Sequence, residues 1–240
     1  MSSSLDFFEK DGDEHVLIEI MCTKSNGEIR KILATYQQLY GKRLEQGIRE
    51  YKTGNFKNIL KILSAAKRDE SETTDLKAAN DDAETLKKQF KKTTIEEKPI
   101  IELLCAKSYT QIKLIAEQYK KLGGSSLEKA VKRNFSDSVK DALLAIIRMS
   151  RCPSEYYARR INKAINNYLL DDRALGRLII TRSEIDLMNI KEEFARVFRK
   201  SIKDCLKKEI TGSYKLALLT LLGENISLRA QNAPWMDTLM

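Results

Sequence analysis

One segment recurs three times along this chain, and self-similarity of that kind constrains the architecture before local propensity is consulted. With Ser25, Ser108 and Ser183 in register, Leu17-Ile18-Glu19-Ile20-Met21-Cys22 falls over Ile100-Ile101-Glu102-Leu103-Leu104-Cys105 and Leu175-Gly176-Arg177-Leu178-Ile179-Ile180. The match continues at constant spacing through Ile29/Ile112/Leu187, Tyr36/Tyr119/Phe194, Leu44/Leu127/Ile202 and Leu60/Leu143/Leu218. Apolar residues return at helical intervals, as in Ile29, Ile32, Leu33 and Tyr36. With three prolines in 240 residues, the prediction is an all-α repeat protein.

Helix starts are marked in each copy. Ser25 with Glu28 and Ser108 with Gln111 have the spacing of capping boxes, and Ser183 with Asp186 is a shorter version, so a helix is expected just after each serine. Thr94-Ile95-Glu96-Glu97 reads as a further capping box, with Pro99 in the first turn. A shorter helix is expected from about Leu44, Leu127 and Ile202, then a turn at Thr53-Gly54, Ser136-Asp137 and Thr211-Gly212, then a last apolar helix. Leading helices precede the second and third copies, at Asn80–Phe90 and Ser154–Ile165, and no equivalent pattern precedes the first. The expected division is repeats over 13–66, 80–151 and 152–224, a polar linker over 67–79 and a tail over 225–240.

Composition narrows the function. A formal charge of +9 favours acidic partners such as lipid headgroups, nucleic acid or acidic polysaccharide. No apolar run is long enough to span a membrane and the N-terminus has no leader-like stretch, so a cytoplasmic location is expected. Cys22 and Cys105 share a repeat position filled by Ile180 in the third copy, which makes the cysteines core residues in this reading. His15 is the single histidine and no Cys-x-x-Cys occurs, which argues against a zinc site or a Cys/His catalytic pair. No phosphate loop or nucleophile motif is present, so a non-enzymatic protein is expected.

The repeats resemble the annexin family. Tyr157-Ala158, Leu178-Ile179-Ile180-Thr181-Arg182-Ser183-Glu184-Ile185-Asp186-Leu187 and Gly212-Ser213-Tyr214-Lys215-Leu216-Ala217-Leu218-Leu219 are similar to a fourth annexin repeat. Asp13-Glu14 with Thr23-Lys24-Ser25-Asn26 resembles a second repeat, and Asp82-Ala83 with Lys107-Ser108-Tyr109 a third. The resemblance implies repeats of about five helices in an incomplete curved disc, lacking the first repeat and the leading helix of the second. It also implies calcium-dependent binding of acidic phospholipid by convex-face loops, and an apolar face on the last repeat where the first repeat packs in the family.

The family binds calcium through a Gly-x-Gly-Thr loop and a carboxylate supplied by a later loop. The corresponding positions here are Glu9-Lys10-Asp11-Gly12, Lys92-Thr93-Thr94-Ile95 and Asn167-Tyr168-Leu169-Leu170, with Tyr51, Asn134 and Glu209 at the carboxylate position. Glu209 is thus one metal-ligand candidate, and a one-residue slip makes Asp11, Gly12 and Asp13 another set. Calcium binding is expected to be weak or lost.

Basic side chains offer a substitute. Lys87, Lys88, Lys91 and Lys92 surround the second copy's first loop, and Arg49, Lys52, Lys132, Arg133, Lys207 and Lys208 flank the later loops, so direct docking on acidic phospholipid is the main reading. Solvated surface is the plainer reading of such charges. Tyr168, Leu169 and Leu170 are read either as an apolar tip entering lipid or as packing beneath a loop. The alternative function is a scaffold that forms homo- or hetero-oligomers, or binds a cytoskeletal partner, through the face left open. Specific nucleic-acid binding is not expected, because no aromatic-interleaved groove accompanies the scattered charge.

Overall fold

Periodic burial of one face per helix produces fourteen α-helices and no strand among the described residues of this computed structural model, which are 13–51, 53–123, 125–166 and 170–223. The first copy contains α1 (Asp13–Thr23), α2 (Asn26–Tyr40), α3 (Leu44–Tyr51) and α4 (Gly54–Ser64). The second contains α5 (Leu76–Phe90), α6 (Glu97–Ala106), α7 (Tyr109–Gly123), α8 (Leu127–Asn134) and α9 (Asp137–Arg151). The third contains α10 (Pro153–Ile165), α11 (Asp172–Arg182), α12 (Leu187–Phe198), α13 (Ile202–Glu209) and α14 (Gly212–Leu221). The short helices begin at Leu44, Leu127 and Ile202, as the repeat register predicts.

The chain divides into two compact units after Pro153. In the first, α1, α4, α6 and α9 pack together and α5 lies along α7. Leu17, Met21, Ile59, Leu60, Ile101, Leu104, Leu143 and Ile146 are buried among these helices. In the second, α11 packs on α14, and Leu178, Ile179, Ile190, Phe194, Leu206 and Leu218 are buried. Each such side chain contributes about 1.5–3 kcal/mol on leaving water.

The helix starts show where local signals win and where they lose. Ser25 forms a full capping box with Glu28. At Ser108 the hydroxyl caps the Gln111 N–H at 3.2 Å, but Gln111 does not close the box. Its side chain instead exchanges two 2.9 Å bonds with the backbone of Asp75. Ser183 does not start a helix: it continues the helical turn of α11, and α12 begins at Leu187 with Asp186 as its N-cap. The Asp186 carboxylate is too short to reach back and pairs with Arg182 at 2.7 Å. The expected box at Thr94 also fails, since α6 starts at Glu97 after the N-cap Glu96 and the Glu97 carboxylate accepts from Asn55 at 2.6 Å. Pro99 does fall in the first turn, where its missing N–H costs nothing.

Residues 67–75 form no helix, yet hydrogen bonds tie them down. The Arg68 guanidinium donates to the carbonyls of Leu104 and Lys107 at 3.1 and 2.9 Å, closing the end of α6, and lies 4.7 Å from the Tyr109 ring centroid. The Asn26 side chain donates to Arg68 O at 2.8 Å, and its backbone N–H donates to the Glu70 carboxylate at 2.7 Å. Asp75 then caps α5 through Ala78 N, so that helix starts at Leu76 and buries Ala79 and Ala83. Residues 76–79 of the expected linker are therefore helical.

Cys22, Cys105 and Cys205 are buried. Cys152 departs from the expectation: it follows the last turn of α9 and is partly exposed.

Candidate functional site

The loops singled out by the repeat register gather at helix ends. In the first unit the first turns of α1, α4, α6 and α9 meet: Ser138 donates to Glu14, and Asn55 donates to Glu97 at 2.6 Å. In the second copy the Phe90 ring, at the end of α5, stands edge-on to Tyr119 at 6.1 Å and to Phe135 at 6.4 Å. This aromatic seam joins the α5–α6 loop to the α8–α9 turn. Beside it is a cleft of about 160 Å³ whose lining includes Lys87, Lys91, Arg133 and Asn134. In the third copy the Tyr214 hydroxyl donates to Asp172 O at 2.7 Å, which sets the start of α14 against the start of α11. Gly176 permits that approach, because a Cβ there would lie 3.2 Å from the Tyr214 oxygen.

The basic residues fall into different classes. Lys91, Lys132, Arg133, Lys207, Lys208 and Arg49 are exposed at loop ends. Lys87 is partly exposed, and its ammonium donates to Leu122 O at the end of α7. Lys88 pairs with Glu84 at 3.8 Å, and Lys92 with Glu96 at 2.6 Å. The Lys92 ammonium holds the Glu96 carboxyl below the usual range by hydrogen bonding and charge. Lys52 lies outside the described residues.

Two cations that the sequence reading missed organise the later loops. Lys57 donates to Arg49 O and Lys215 to Lys207 O, each at 3.0 Å. The two lysines occupy one repeat position, shared with Lys140, and each places positive charge at the negative end of a short helix. Their recurrence at constant spacing was the signal available in the sequence.

Asn134, at the position expected to supply a carboxylate, donates its side-chain amide to Ala130 O at 2.8 Å. Lys91 and Arg133 line the cleft beside it, and cations repel a cation. Among the described residues no group of three or more His, Cys, Asp or Glu is placed to hold a metal ion. Asp11, Gly12, Tyr168 and Leu169 lie outside the described residues, as do the side chains of Asp13, Tyr51 and Glu209. Leu170 is partly exposed, and the following Asp171 caps α11 by accepting from Ala174 N at 2.9 Å.

Comparison with known proteins gives a consistent result. A sequence profile described as Annexin matches residues 7–63, 81–146 and 156–221. Annexin A4 of Homo sapiens is 35% identical over 212 residues, which cover 88% of this chain and 66% of that protein. The chain thus spans about two thirds of the length of that relative. Among solved structures, annexin A8 superposes with a TM-score of 0.86 at 31% identity, covering 92% of this chain and 70% of the other. A structure described as calcium-bound annexin (Sm)1 superposes with a TM-score of 0.81 at 25% identity, covering 91% of this chain and 67% of the other.

Proposed function

This chain belongs to the annexin family, and we propose that it is a peripheral, cytoplasmic protein that binds acidic phospholipid surfaces through the helix-end loops of its repeats. The family is one of calcium-dependent phospholipid binders rather than enzymes. In the second copy we assign the docking role to charge instead of metal. The observation that carries this reading is the exposed trio Lys91, Lys132 and Arg133 at the loop end where Asn134 replaces the acid. Each cation near an anionic surface contributes about 1 kcal/mol, so three acting together favour the bound state by a few kcal/mol. Lys207, Lys208 and Arg49 extend the same chemistry to the other repeats. Lys88 and Lys92 join at the cost of releasing Glu84 and Glu96, whereas Lys87 serves α7. No helix among the described residues is long and apolar enough to cross a membrane, which suits surface contact.

Calcium, named in the description of the annexin (Sm)1 structure, is expected to bind this chain weakly. Any such site falls to Glu209, or to Asp11, Gly12 and Asp13. The test is co-sedimentation with phosphatidylserine-containing liposomes, with calcium or chelator and at low and high salt. Binding equal in both metal conditions, weakened by salt and lost in a Lys91→Glu, Lys132→Glu, Arg133→Glu variant is the expected result. A requirement for added calcium would overturn the metal-free reading.

A second reading, association with another protein chain, is favoured by Ile180, Ile185 and Met188, which are exposed on the second unit.

A further inference from the structure

The first unit contains two copies of the repeat packed face to face, and their contacts are reciprocal. Glu14 at the start of α1 accepts from Ser138 in the first turn of α9. With the copies exchanged, Glu97 at the start of α6 accepts from Asn55 in the first turn of α4. Glu14 and Glu97 hold equivalent repeat positions, and so do Asn55 and Ser138. At the centre of the face, the Cys22 thiol lies 3.8 Å from Ala142 O. A contact in which one residue meets a second, and the second meets the first, is the mark of a two-fold interface.

The third copy presents the same face without such cover. Ile180, at the position of Cys22 and Cys105, is 58% exposed, whereas those cysteines are 0% and 1% exposed. Leu221 is 39% exposed at the position where Leu63 and Ile146 are buried. Ala217 is also exposed, in contrast to its buried equivalents Ile59 and Ala142. The polar ends of the face are retained: Asp172 stands at the position of Glu14 and Glu97, and Ser213 at that of Asn55 and Ser138, both exposed. An acceptor and a donor at the two positions that must exchange bonds make the face complementary to itself.

We propose that the α11/α14 face of the second unit docks on the same face of a second copy of this chain about a two-fold axis. Asp172 accepts from Ser213 of the partner subunit, and the symmetry repeats that bond. Ile180 packs against Ala217 of the partner subunit, as Cys22 does against Ala142, and Leu221 closes the apolar centre. One internal pair has no counterpart: His15 lies 3.8 Å from Asp141, but Arg173 and Leu216 occupy those positions in the third copy. The contact between copies is therefore weaker than the one inside the first unit, and it is reversible.

Light scattering and sedimentation equilibrium on the full chain without lipid, from nanomolar to high micromolar concentration, test this. A monomer–dimer equilibrium is expected, and Ile180→Arg or Leu221→Arg abolishes it without loss of helical circular dichroism, because both positions are exposed. Asp172→Lys is expected to weaken the dimer roughly tenfold through loss of its hydrogen bonds, and adding Ser213→Asp restores it with the partners reversed. A monomer at every concentration overturns the proposal. So does a dimer indifferent to Ile180→Arg, or an Asp172→Lys defect that Ser213→Asp leaves unrepaired.

Discussion

Gly54, Asp137 and Gly212 occupy one repeat position and open the last helix of their copies with left-handed backbone, at φ of 62°, 47° and 70°. No atom lies within 4 Å of a Cβ built on Gly54 or Gly212, so the constraint there is conformational and not steric crowding by neighbours. An ordinary L residue in this region costs about 1–2 kcal/mol, and Asp less because its short polar side chain bonds locally. Gly212→Val is accordingly expected to destabilise by about 1–2 kcal/mol and Gly212→Asp by less than half of that, as read by denaturant unfolding. Reactivity of the cysteines is set by burial. Burial pushes the Cys105 thiol up to about 12, against the pull of the nearby Arg68 charge, and burial together with Cys105 raises Cys22 further. Since the thiolate is the nucleophile, a thiol reagent on the native protein should modify Cys152 first, with Cys22, Cys105 and Cys205 reacting on unfolding. Rapid native-state labelling of Cys22 or Cys105 would contradict this.

At the scale of helices, the same serine recurs with two different roles. Ser25 accepts from Glu28 N at 3.2 Å, and the Glu28 carboxylate accepts from the Ser25 amide at 2.8 Å and its hydroxyl at 3.0 Å. Ser183 instead donates to Ile180 O at 2.8 Å, inside a turn that continues α11. Ser25→Ala should therefore cost about 1 kcal/mol, while Ser183→Ala stays within about 0.5 kcal/mol, by thermal or denaturant unfolding. Burial alone would raise the Glu28 carboxyl, but the bonds from Ser25 and Lys24 outweigh it and hold it below the ordinary value. A carboxyl depressed in the folded state stabilises above its unfolded pKa, and that stability is lost as pH falls through the folded value. The penalty of Ser25→Ala should shrink accordingly on acidification. Helix existence was legible because the apolar period spans whole helices, and Leu44, Leu127 and Ile202 were placed by register alone. Caps were less legible, because spacing does not reveal a competing partner: Arg182 for Asp186, Asp75 for Gln111, Asn55 for Glu97.

The candidate site at the scale of the whole molecule was legible in charge but not in use. The sequence places Lys87 and Lys91 side by side, yet only the fold brings Leu122 O to the Lys87 ammonium, through the long-range packing of α5 on α7. That Asn134 is an amide and not an acid is a property of the sequence, whereas the amide's bond to Ala130 O is a property of the helix end. The chain forms two compact units, the first two copies in one and the third in the other. Two compact units permit unfolding in more than one step, so a single transition is not the expectation for this chain. Phe194 is fully buried in the second unit, and Phe194→Ala removes its ring contacts, including the one with Phe198 at 4.9 Å. The cost is expected to be about 3–5 kcal/mol, borne by the second unit alone. Hydrogen exchange followed by mass spectrometry should show faster exchange in α11 to α14 of that variant, with protection of α1, α6 and α9 retained. Equal loss of protection in both units would show one cooperative body instead of two.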